Sequence, residues 1–96
     1  MITKQYKFFS DPGHGWLAVS RKQIQALGIE DDISVFSYQS KSKKTIYLEE
    51  DSDAHLFLDA QKASMCDPSE LVVIMRPICT NNESSIRKLN SFTKEK

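Results

Sequence analysis

The sequence predicts a small α+β domain in which helices pack on one face of a mainly antiparallel sheet. Three observations predict it: aromatic and β-branched runs joined by turn residues, two amphipathic segments with capping residues, and an apolar run near residue 71. In chain order the elements are β-β-α-β-β-α-β. The 96 residues suit one domain, which we place at residues 1–79. Residues 80–96 are predicted to be a polar tail, either a frayed helix or disordered.

The first half of the chain predicts a hairpin, a short helix and a second hairpin. Residues 6–9 and 16–19 have strand composition and flank a Pro-Gly turn. Ser20 and Gln23 are spaced as a capping box for a helix over residues 21–27, and Gly28 suits its C-terminal cap. Residues 33–38 and 45–49 predict the second hairpin, with a lysine-rich loop at its tip.

The second half predicts a helix and a buried strand. Asp51 or Ser52 can cap a helix whose apolar stripe lies on the sheet. The continuous apolar run over residues 71–75 predicts a strand buried on both faces, which ends before Pro77. The helical stripe follows the i, i+3, i+4, i+7 spacing of Ala54, Phe57, Leu58 and Gln61.

Charge and cysteine content limit the classes of partner. Thirteen basic residues balance thirteen acidic ones, so no global charge draws the chain to nucleic acid or to an anionic membrane. The apolar runs are too short to cross a bilayer, and no N-terminal signal pattern is present. Cys66 and Cys79 lack C-x-x-C spacing. These features predict a cytoplasmic protein with reduced thiols and no membrane contact.

Two acidic clusters are the leading candidates for a binding surface. Carboxylates are favoured near a helix N-terminus, which accounts for one or two of them but not for all. The others form either a solvated face or, if the fold brings the clusters together, a negative patch for a basic protein partner or a divalent cation. One cluster is Glu49, Glu50, Asp51 and Asp53, and the other is Glu30, Asp31 and Asp32.

A third candidate is the string "DPGHG", residues 11–15, which resembles the strand-end motif of zinc-dependent N-acetylmuramoyl-L-alanine amidases. That resemblance implies a zinc hydrolase in which His14 binds the metal, with His55 and nearby carboxylates as further ligands. The alternative is a hairpin turn in which Pro12 fixes φ and Asp11 hydrogen-bonds the local backbone. We favour the turn and predict no catalytic residue, metal or cofactor, with His14 and Trp16 as a secondary binding site.

In the order of their strand, helix and turn signals, residues 16–50 are similar to the swapped-hairpin domain of AbrB-type transition-state regulators. The string "LGI" at residues 27–29 matches the end of that family's helix, "SRK" stands at its Pro-Lys helix start, and "DD" replaces its Gly-Asp turn. The resemblance implies a DNA-binding dimer. The positions that would contact DNA are Arg21, Lys22, Lys41, Lys43 and Lys44.

A broader resemblance covers residues 7–60. The strings "FFSDPGHGWLAV", "LGIEDDIS", "FSYQ" and "IYLEEDSDA" resemble a set of small uncharacterised proteins carried by bacteria, phages and plasmids. This implies an accessory or host-directed binding role, with inhibition of a host defence system as one form of it.

Our first hypothesis is therefore a non-enzymatic interaction protein whose acidic clusters bind a basic surface of a macromolecular partner. A DNA-binding dimer is the alternative, and a zinc hydrolase is the second alternative. The oligomeric state stays open.

Overall fold

A computed structural model describes residues 2–79, 86 and 89–93 of the chain. It contains a six-stranded sheet and two helices, with one turn of 3-10 helix at Glu30–Asp32 and another at Pro68–Glu70. The bounds are β1 Ile2–Ser10, β2 Gly15–Ser20, α1 Arg21–Ala26, β3 Tyr38–Gln39, β4 Thr45–Glu49, α2 Asp53–Ala63, β5 Leu71–Cys79 and β6 Asn90–Ser91. Across the sheet the strands lie in the order β5-β1-β2-β4-β3-β6.

The sheet is mixed. Strands β1, β2, β4, β3 and β6 pair antiparallel in that spatial order, whereas β5 lies parallel to β1 along its whole length. The α+β class predicted from the sequence is confirmed. The parallel pair was not predicted, because its partners are distant in sequence and local patterns do not report such pairing.

The first hairpin turn is built by the side chain of Asp11. Its Oδ1 accepts hydrogen bonds from the backbone N–H groups of Gly13 and His14, both at 2.9 Å. Gly15 follows, and a Cβ at this position would lie 2.6 Å from the ring of Phe8. Glycine is therefore favoured at residue 15 by the close approach of this side chain, which a Cβ would have to displace, and φ there is not positive.

Helix α1 has the predicted Ser20 cap and Gly28 terminus, but the Gln23 Oε1 accepts the Ser20 hydroxyl at 3.3 Å and not the backbone N–H that a capping box uses. The Ser20 Oγ accepts from the backbone N–H of Gln23 at 3.2 Å. At the other end Gly28 has a φ of 70°, and its N–H donates to the carbonyl of Gln25 while that of Ile29 donates to the carbonyl of Ile24. This pair of bonds is a Schellman motif, which ends the helix and turns the chain back toward the sheet.

The core lies on one face of the sheet and includes side chains from both helices. Alternate residues of β2 and β4 point into it, as the period of a strand requires, and α1 and α2 contribute one fully buried side chain each. Burying one such side chain contributes roughly 1.5 to 3 kcal/mol. These residues are Leu17, Val19, Ile24, Ile46, Leu48 and Phe57.

Residues 33–37 are not a strand, although their β-branched and aromatic composition predicts one. The buried carboxylate of Asp53 accepts the backbone N–H of Ser34 at 3.0 Å, the Ser34 hydroxyl at 2.7 Å and the Ser37 hydroxyl. These bonds hold the segment as a loop against the start of α2. Strand β3 consists of Tyr38 and Gln39, so Tyr38 alone of the predicted residues 33–38 lies in a strand. The predicted Ser52 cap makes no side-chain capping bond.

Strand β5 is an edge strand, so the prediction that residues 71–75 are buried on both faces is wrong. Val72, Ile74 and Met75 are 36%, 40% and 41% exposed. The strand also continues through Pro77 to Cys79. Proline is tolerated there because an edge strand needs no hydrogen bond from its outward N–H.

Part of the predicted tail packs against the sheet. Strand β6 pairs with β3, and Phe92 is only 5% exposed. Residues 80–85, 87, 88 and 94–96, for which the frayed helix or disorder was also predicted, lie outside the described residues. Among the described helices, none is long and apolar enough to span a membrane.

Candidate functional site

Several of the predicted binding residues line one open groove, at the end of the β2–β4 pair where Trp16 lies opposite Glu49. The groove has a volume of about 540 Å³, within the range of ligand-binding clefts. It joins the secondary candidates His14 and Trp16 to two residues of one acidic cluster. We call it the aromatic-acidic groove; its principal residues are His14, Trp16, Phe36, Tyr38, Glu49 and Asp51.

Aromatic rings form one wall of the groove. The Trp16 ring centroid lies 6.1 Å from that of His14 and 6.1 Å from that of Tyr38, the latter ring standing edge-on at 68°. Trp16 is 2% exposed but lies outside the core cluster, because its neighbour Leu17 points to the opposite face of the sheet. The tryptophan is therefore a fixed support beneath the groove, and the exposed His14 ring and the half-buried Tyr38 ring form the accessible part of this wall.

Two carboxylate side chains line the same groove. Glu49 is held by its own turn: its Oε1 accepts the backbone N–H of Asp51 at 3.2 Å, and its Oε2 accepts the Ser52 hydroxyl at 3.0 Å. Asp51 is exposed beside it. Two negative charges thus lie next to the aromatic wall, in an arrangement that suits a lysine or arginine side chain.

An exposed apolar pair stands at the rim of the groove. Val35 is 69% exposed and Phe36 is 70% exposed, and both line the groove. Their loop is anchored on each side by the bonds from Ser34 and Ser37 to Asp53. A rigid loop that exposes a phenylalanine beside an acidic groove is typical of a contact surface. Sequence reasoning missed both residues, because it placed them in a strand.

The seven predicted acidic residues separate into different roles. Asp53 is 3% exposed and its carboxylate is occupied by the loop bonds, while the Glu30 carboxylate is bonded to Arg21 at 2.7 Å. The bonds between Asp53 and Ser34 connect the two acidic turns, but the described contacts include none between carboxylates of the two clusters. Exposed carboxylates outside the groove are Glu50, Asp31 and Asp32.

Arg21, predicted as a DNA contact, is a buried structural residue that is 4% exposed. Its guanidinium donates to the Glu30 carboxylate, to the Lys43 carbonyl at 2.6 Å, to Gln39 Oε1 at 2.7 Å and to the Thr93 carbonyl at 3.2 Å. This network fixes the lysine-rich hairpin tip against α1. The four lysines of the DNA prediction, Lys22, Lys41, Lys43 and Lys44, are exposed.

Neither histidine lies in a group of metal ligands. Within the described ranges, no three or more histidine, cysteine, aspartate or glutamate side chains are placed to hold a metal ion. His14 packs against Trp16, and His55 is exposed on α2.

The chain matches no protein-family model, no curated protein and no solved structure. Its own geometry and charges therefore carry the functional proposal.

Proposed function

We propose that this protein is a non-enzymatic interaction protein, which binds a macromolecular partner through the aromatic-acidic groove. The observation that carries the proposal is the groove itself, in which a buried tryptophan, two carboxylates and an exposed phenylalanine face one cleft. The partner presents a basic side chain beside an apolar one. The resemblance to proteins of phages and plasmids supports an accessory role, with a component of a host defence system as the partner.

The groove combines two kinds of recognition that reinforce each other. Exposed carboxylates speed association with a positively charged surface, and their effect weakens as salt increases. An exposed aromatic anchor such as Phe36 supplies much of the short-range binding energy at interfaces of this kind. Binding through this groove should therefore depend on both salt and the exposed phenylalanine.

The two alternatives have less support. A DNA-binding role lacks one of its predicted contacts, because the Arg21 guanidinium is hydrogen-bonded inside the protein. A zinc hydrolase would need further ligands beside His14, and the described residues provide no such group.

The test is affinity capture of host proteins by the wild-type chain and by two variants that each remove two negative charges. Glu49→Gln/Asp51→Asn changes the groove, whereas Asp31→Asn/Asp32→Asn changes the other acidic turn and is the matched control. We expect the groove variant and Phe36→Ser to lose the partner that wild type retains at low salt, and the control to keep it. Retention by the groove variant, or loss by the control alone, would refute the proposal.

A further inference from the structure

A second groove lies at the opposite end of the same strand pair. It is formed where Ser20 of β2 lies opposite Thr45 of β4, whereas the aromatic-acidic groove is formed where Trp16 lies opposite Glu49. Four residues of extended strand separate the two ends, or roughly 13 Å. The second groove has a volume of about 550 Å³. We call it the lysine groove, and its principal residues are Ser20, Lys22, Ser42, Lys43, Lys44 and Thr45.

Three exposed lysine side chains share this groove, and none of its described lining residues is acidic, although the Glu30 carboxylate accepts hydrogen bonds from Arg21 and Gln25, which also line it. Lys22 comes from α1, while Lys43 and Lys44 come from the hairpin tip. The whole chain has no net charge, so the positive charge of this groove is a local feature of the surface. An anion bound between the three lysines would offset the repulsion between their charges.

The position of the lysines is fixed by the buried arginine. The backbone N–H of Arg21 donates to the Lys44 carbonyl at 2.8 Å, and its Nε donates to the Lys43 carbonyl at 2.6 Å. Lys43 has a φ of 64°, a left-handed conformation that is uncommon for a residue with a side chain. The backbone of the hairpin tip is thus held with these carbonyls toward Arg21, at the groove that Lys22, Lys43 and Lys44 line together.

The chemistry of the lining selects among anions. Planar carboxylates are best bound by the forked guanidinium of arginine, and Arg21 is committed to the internal network. Lysine acts as a point charge and is a common ligand of phosphate. Single-stranded nucleic acid is usually held by aromatic stacking as well, and the described lining of the lysine groove contains no aromatic residue.

We propose that the lysine groove binds a compact, multiply charged phosphate chain, of the size of a triphosphate group. This site is separate from the aromatic-acidic groove and does not depend on the function proposed for it.

The experiment is isothermal titration calorimetry of the full chain with inorganic triphosphate at constant ionic strength. The variants are Lys22→Gln, Lys43→Asn and Lys44→Gln, asparagine being chosen because it tolerates positive φ. Lys62→Gln, on the exposed side of α2, is the matched control. We expect saturable one-site binding to wild type and to the control, a loss of about three- to tenfold in each single variant, and no measurable binding in the triple variant.

Parallel titrations show which kind of anion binds, and tryptophan fluorescence shows whether the aromatic-acidic groove is involved. Sulfate at equal ionic strength and a short DNA duplex are titrated in parallel, and the fluorescence of the single tryptophan is followed throughout. The proposal predicts weaker binding of sulfate and duplex than of triphosphate, with no change in Trp16 emission. It is overturned if triphosphate binds the triple variant as well as wild type, if it does not bind wild type, or if sulfate or duplex binds equally well or better.

Discussion

Replacing Arg21 with alanine should destabilise the whole domain, because its buried guanidinium joins four separate parts of the chain. It bonds to Glu30 after α1, to Lys43 at the hairpin tip, to Gln39 in β3 and to Thr93 near the C-terminus. The side chain of Arg21 is 5% exposed and that of Glu30 is 13% exposed, so solvent cannot readily replace the lost cation.

The magnitude follows from that burial. Removing one partner of a buried ion pair costs about 3 to 5 kcal/mol, because the other partner is left without compensation. The unfolding free energy of a domain of this kind is roughly 5 to 15 kcal/mol, so Arg21→Ala removes a large share of it. With a urea slope of about 2 kcal/mol per molar, the midpoint should fall by roughly 1.5 to 2.5 M.

The assay is urea unfolding followed by the fluorescence of Trp16. Lys22→Ala, the next residue on the same helix but exposed, is the control and should change stability by less than about 0.5 kcal/mol. The double variant Arg21→Ala/Glu30→Ala should cost less than the sum of its single variants, since the two residues interact directly. A loss below about 1 kcal/mol for Arg21→Ala is typical of an exposed ion pair and would refute the structural role.

Three further substitutions test other parts of the structure by the same unfolding assay. Asp53→Ala leaves the buried donors of its loop without an acceptor and should cost about 2 to 4 kcal/mol; a neutral effect would mean that the loop is not anchored there. Gly15→Ala places a methyl group against the Phe8 ring and should cost about 1 to 3 kcal/mol, whereas unchanged stability would show that this contact is loose. Phe92→Ala removes a buried ring 5.0 Å from the Arg21 guanidinium and should cost about 3 to 5 kcal/mol; no loss would show that this C-terminal segment does not belong to the fold.

Local signals in the sequence predicted the local structure well. Asp11 builds the first turn, Ser20 caps α1, and Gly28 ends it with positive φ. Each of these depends on one residue and its near neighbours, so a short pattern contains the needed information.

Features that depend on distant parts of the chain were not predictable in the same way. An apolar run such as residues 71–75 fits a buried strand and an edge strand equally well, and only pairing with β1 decides between them. Residues 33–37 have strand composition, but the buried carboxylate of Asp53 lies far along the chain and holds them as a loop.

Individual residues of the candidate site were predicted from the sequence, but their grouping into one groove was not. His14, Trp16, Glu49 and Asp51 were each identified from the sequence, but the register of β2 against β4 is what brings them into one groove. Arg21 could not be assigned to the interior from its residue type, because a basic residue at a helix start is usually exposed.

Binding at the aromatic-acidic groove is tested by titrating the isotope-labelled protein with a short peptide of alternating lysine and leucine and following the titration by NMR. We expect saturable shifts of the Trp16 indole N–H and of the backbone N–H groups of Val35, Phe36 and Asp51, all with one dissociation constant. In Glu49→Gln/Asp51→Asn the affinity should fall by about tenfold. Shifts confined to Asp31 and Asp32, or shifts that grow without saturation across the surface, would show that the groove is not the binding site.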